Sequence, residues 1–139
     1  MHKFIPQSKD LGLLVLRVGI GIMFIFHGLP KLMGGPEGWE GLAQYGLPLL
    51  PEGLISIIFG LFAVIAELGG GVLLVLGMYT RIACLALIAT MAVAMTTHLG
   101  EVTGIGNFAK TLGWTIELIV VFTALLFTGP GRFAVHKSL

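Results

Sequence analysis

LISIIFGLFAVIAELGGGVLLVLGMYTR, residues 54–81, decides the fold of this chain. The stretch is apolar apart from one acid, Glu67, near its middle and a closing turn that ends on Arg81. A run of about 25 residues, rising ~1.5 Å per residue, is long enough to cross a bilayer and sets Glu67 near the hydrocarbon midplane. An acid at that depth is costly and normally faces protein or water rather than lipid. Glu67 must therefore point at another part of the same bundle.

Composition extends this reading to the whole chain. Of 139 residues, 56% are hydrophobic and 11% charged, and mean hydropathy is +1.00. A soluble domain of this length has too little interior to hide so much apolar surface, and it would carry roughly 25% charge. The net charge of +1 and the lack of a basic cluster with interleaved aromatics argue against a nucleic-acid partner. The single cysteine, Cys84, lies in an apolar run, which excludes an internal disulfide and suits an inert packing residue.

Three further apolar runs flank the first. The expected spans are about 11–33, 54–78, 82–98 and 111–128, making one all-α, four-helix transmembrane domain over residues 1–139. The first run is too long for a signal peptide and lacks a small-residue cleavage site, so it reads as a retained span. Between the first two spans, Trp39 and Tyr45 suit the headgroup region, and a short interfacial helix is expected there. An even number of spans puts both termini on one side. The ends and the turn at Arg81 carry Lys3, Lys9, Arg81, Arg132 and Lys137, whereas the opposite loops carry mainly acids. The positive-inside rule then places both termini in the cytoplasm of a multi-pass protein of the bacterial inner membrane.

Helical wheels give each span an inward face. Glu67 shares a stripe with Gly60, Ala63, Gly71 and Leu74, and small residues there allow helices to approach closely. Arg17, Gly21, Phe24, Gly28 and Lys31 share a face of the first span, with His27 to one side. Ala86, Thr90, Ala94 and His98 form a weakly polar ridge on the third, and Lys110, Gly113, Glu117, Ala124 and Thr128 align on the fourth. Estimated depths suggest two polar tiers: an inner ion pair of Arg17 with Glu67, and an outer tier of His27 with Glu117, edged by Lys31, His98 and Lys110.

His27, Lys31, His98 and Glu117 are the candidate ligand or proton site. Buried carboxylates with raised pKa values relay protons, but a buried Arg–Glu pair equally holds helices in register. Two histidines without matched spacing are a poor basis for haem or metal ligation, so no metal site is expected. No phosphate-cradling glycine loop, nucleophile elbow or HExxH motif occurs, and the sequence names no catalytic residue.

Several motifs, in order, match a known pattern. Leu16-Arg17-Val18-Gly19 is followed by Phe26-His27-Gly28-Leu29-Pro30-Lys31-Leu32, and Tyr45-Gly46-Leu47-Pro48 precedes the second span. Glu67-Leu68-Gly69-Gly70-Gly71 then runs into Tyr79-Thr80-Arg81-Ile82-Ala83, and Thr128-Gly129-Pro130-Gly131-Arg132-Phe133 closes the chain. Nearly the whole chain thus resembles the DoxX family of small bacterial membrane proteins. It departs from the family's Ser-Leu-Asp-like tail at Phe133-Ala134-Val135-His136. The resemblance implies a four-helix membrane bundle in which Arg17, Lys31, Glu67 and Arg81 occupy motif positions. The family takes its name from a subunit of a thiosulfate-oxidising, quinone-reducing complex, and other members are linked to oxidative-stress complexes.

The leading expectation is accordingly a membrane subunit of a redox complex. A lipophilic quinone would lodge between spans near the outer tier, and a partner oxidoreductase would supply electrons. His27 and Glu117 would contact the headgroup, Lys31 would favour its anionic reduced form, and the tail would lie beside Gly21 and Gly28. The competing expectation is a scaffold or assembly factor whose polar residues only fix packing. A small transporter ranks below both, because repeats and paired broken helices are not recognisable. Glycine-rich faces suit either internal packing or contact between copies in a homo-oligomer.

Overall fold

The computed structural model describes residues 8–135; the expectations placed on Lys3, His136 and Lys137 lie outside them. The chain forms α1 (Lys9–Met33), α2 (Gly35–Gly46), α3 (Leu54–Leu76), α4 (Thr80–His98), a 3-10 turn (Leu99–Glu101) and α5 (Ile105–Thr128). Four of these, with the 3-10 turn continuing α4, are long and apolar enough to cross a membrane. Each of the four overlaps one of the expected apolar runs. α5 starts ahead of the expected Thr111, so Lys110 lies within a helix rather than in a loop. The cause is local: the Asn107 side chain accepts from the Thr103 amide and donates to the Glu101 carbonyl, tying down the approach to the helix.

α1 packs on α3, α3 on α4, and α4 on α5. The ring closes lightly between α1 and α5, where Phe24 meets Phe122 edge-on at 5.2 Å between centroids. Leu74, Cys84, Leu87, Phe122 and Leu125 are fully enclosed at the centre of this bundle. Glycines fix the register of α1 against α3. A Cβ on Gly21 would come within 2.6 Å of the Gly71 carbonyl oxygen, and one on Gly71 would press equally on Gly21. Backbone contact of that kind is how small residues bind helices together in lipid, where hydrophobic burial offers no net drive.

α2 is a crossbar. The chain breaks at Gly34 and Gly35, the latter at φ +64°, and turns out of α1 there. α2 then passes over Gly60 of α3 so closely that a Cβ there would fall on the Trp39 backbone, and reaches Val93 of α4 at Gly46. Trp39 Nε1 donates to the Lys31 carbonyl at 3.0 Å. Glu40 accepts from the Gly53 amide, and Ser56 Oγ donates to Pro51 O at 2.7 Å. The connecting loop is thus pinned at both ends.

The two described chain ends meet at the opposite end of the bundle. The Arg132 amide donates to Asp10 Oδ1 at 2.9 Å, and the Val135 amide to Leu76 O at 3.1 Å. Arg17, 1% exposed, gathers the segments there. Its guanidinium donates to the carbonyls of Leu74 at 2.9 Å and Val75 at 2.7 Å, and to that of Phe133. The last carbonyls of a helix lack intrahelical donors and carry the negative end of its dipole, so a cation satisfies both. The expected Arg17–Glu67 pair does not form. Arg17 caps the C-terminus of α3 instead.

Candidate functional site

Glu67 finds its cation elsewhere. Lys31 Nζ lies 2.7 Å from both carboxylate oxygens. The Gly21–Gly71 contact sets α1 lengthwise so that Lys31, not Arg17, arrives opposite Glu67. The carboxylate side chain is 4% exposed, but the lysine is 35% exposed. One member of the pair is sealed, and the other looks outward.

It looks into a cleft of about 530 Å³ between α2, α3 and α4, reached by Lys31 from α1 and Trp114 from α5. Small side chains make the space: Ala63 and Ala66 on one wall, Ala86, Ala89 and Ala94 on the other. Tyr45, Phe62 and Trp114 stand at its margin and are exposed at the bundle surface. The volume falls within the ~300–1,000 Å³ of small-molecule sites.

The polar groups inside are few and mostly committed. Thr90 Oγ1 donates to Ala86 O at 2.9 Å and Thr97 Oγ1 to Ala94 O at 2.7 Å, so both hydroxyls offer only lone pairs to a guest. His98 Nδ1 lies 3.3 Å from Glu101 Oε2, and its ring meets Trp114 edge-on at 6.0 Å. That leaves Nε2 of His98 uncommitted. Lys31 has three N–H donors, and its two contacts with Glu67 leave one. A paired ammonium and carboxylate carry no net charge. The cleft therefore suits a neutral, largely apolar guest with an acceptor oxygen better than an anion.

The candidate residues divide. Lys31 and His98 line this cleft, together with Glu67, which sequence reasoning had assigned to packing. His27 and Glu117 do not line it. Both are exposed, and no hydrogen bond or ion pair joins them to any described residue. His27 touches the ring of Phe24 at 6.1 Å. The outer tier is thus corrected: the buried face of α5 is Leu112, Thr115, Phe122 and Leu125, and the polar stripe through Lys110 and Glu117 points away from the bundle. The ridge of α4 is corrected too. Thr80, Ala83, Cys84, Leu87 and Met91 face the core, while Ala86, Thr90, Ala94 and His98 face the cleft. Among the described residues, no three His, Cys, Asp or Glu side chains gather as a metal site would need.

The crossbar was foreseen as a helix but not as a wall of a site. Its signal was there in retrospect: Gly46 and Ala43 are small because they press on α4 and the cleft.

A small bundle of helices long and apolar enough to cross a membrane, with an apolar cleft in its side, is the class this architecture defines. The DoxX family model matches residues 12–100, and the chain belongs to that family. It is 28% identical to the inner membrane protein YphA of Escherichia coli (strain K12), over 94% of this chain and 91% of that one. It is 27% identical to the inner membrane protein YqjF of the same organism, over 96% and 95%. A Bacillus subtilis (strain 168) protein named "Putative oxidoreductase CatD" is 37% identical over 66% of this chain and 62% of its own length. No solved structure matches significantly.

Proposed function

We propose that this protein is the quinone-binding membrane subunit of a redox complex, with the quinone seated in the Lys31–Glu67–His98 cleft. The supporting observation is the neutral ion pair at the wall of an apolar, laterally placed cleft. A quinone headgroup is neutral, flat and acceptor-rich, and its isoprenoid tail belongs in lipid. On this reading one carbonyl accepts from the free N–H of Lys31. Reduction adds two electrons and two protons to the quinone, and a partner oxidoreductase loses the two electrons. The name carried by the B. subtilis relative fits redox chemistry, as does the family's namesake complex. We further place both termini in the cytoplasm, because Lys9, Arg81 and Arg132 gather at the end of the bundle that holds them.

The bidentate Lys31–Glu67 contact also favours a second reading, a scaffold whose pair only fastens α1 to α3. Lipid extraction and mass spectrometry of the protein purified in mild detergent separate the two. The redox reading expects quinone near one per chain, lost from Ala63→Phe, which fills the cleft, with thermal stability preserved. Quinone no higher than in a detergent-solubilised control, or equal in Ala63→Phe, overturns it.

A further inference from the structure

Glu117 is a carboxylate on a membrane-spanning helix, turned directly away from the buried face of α5 and without a polar partner among the described residues. An acid so placed is expensive in lipid and is normally paired. The Phe24–Phe122 stack allows its depth to be compared with that of His27. α1 and α5 run antiparallel, so His27 lies three residues, about 4.5 Å, above that stack, and Glu117 five residues, about 7.5 Å, above it on the same side. The two differ in depth by only about 3 Å. Within one chain they sit on different faces and do not meet.

We infer that the α1/α5 side of the bundle binds a second copy of this chain, pairing His27 of each protomer with Glu117 of the other. A two-fold axis along the membrane normal leaves depth unchanged and brings each residue to its partner's level, giving two reciprocal pairs. This is the lightly closed side of the bundle, joined by one aromatic contact. The outward stripe of α5 places Gly113 and Ala124 beside Glu117, which lets a neighbouring helix approach closely. An acid on α5 and an imidazole on α1 give the charge complementarity that a like-on-like contact of two α5 helices lacks. The inference does not depend on what fills the cleft, which neither His27 nor Glu117 lines.

Native mass spectrometry of the full chain in lipid nanodiscs, across a range of protein-to-lipid ratios, tests it. Wild type is expected as a dimer. Glu117→Ala and His27→Ala each weaken the dimer by about tenfold, and the exchanged double variant His27→Glu/Glu117→His restores it. A second measurement guards against misfolded variants. Copies carrying His27→Cys, mixed with copies carrying Glu117→Cys, should form a disulfide across protomers under mild oxidant, while enclosed Cys84 stays silent. A wild type that is monomeric throughout overturns the inference. So does a dimer indifferent to both alanine variants, or a Glu117-dependent complex with a different membrane protein.

Discussion

The bundle encloses a cation near each end, and the two are used in opposite ways. Arg17 is sealed and donates to three backbone carbonyls in two segments of the chain. Lys31 is partly open and spends two contacts on one side chain, with a third donor facing a cleft. The first arrangement is closed to any guest, its unpartnered Nε–H included, and serves architecture alone. The second costs less to break and has a direction. Burial and charge alone therefore do not mark a site; a donor open to a cleft does.

Breaking each end should expose this difference, beginning with the largest effect. Arg17→Leu strands the carbonyls that cap α3 and releases the tail, and should cost at least about 3 kcal/mol, with loss of folded protein in detergent thermal unfolding. Gly60→Ala should cost about 2 kcal/mol by lifting α2 off α3, read as a lower unfolding midpoint and increased protease cleavage in the 47–53 loop. Lys31→Met should cost about 1–2 kcal/mol by leaving Glu67 unpaired, and Lys31→Met/Glu67→Met should recover most of it. Neither lysine variant should retain quinone if the cleft reading holds. Glu117→Gln should change the unfolding of the single chain by no more than about 0.5 kcal/mol. A larger loss there would erase the distinction between enclosed and outward charge.

Sequence periodicity carried the spans, the inward face of α1 through Arg17, Phe24 and Gly28, and that of α3 through Glu67 and Leu74. It failed on pairing for a physical reason. Depths counted from the ends of apolar runs assume that neighbouring helices start level. Here the Gly21–Gly71 contact sets α1 out of level along α3. Arg17 then reaches the end of α3, and Lys31 reaches Glu67. The wheel of α5 failed differently. Its polar stripe was assigned inward because lipid disfavours charge, but the face of Leu112, Phe122 and Leu125 packs on the core. A wheel read on one chain has no place for a polar stripe that points out of the bundle. The cleft itself was hidden because alanines such as Ala63 and Ala86 read equally well as close packing or as space.

The Arg17 clamp also sets a timetable. Its first partners, Leu74 and Val75, are made 57 and 58 residues later, and Phe133 follows it by 116. During synthesis the first span thus enters the membrane with its strongest charge unmatched. It gains its first partners only once α3 is in place, and the last only after α5 has been made. The end of the bundle that is chemically quietest thus waits on segments from both halves of the chain.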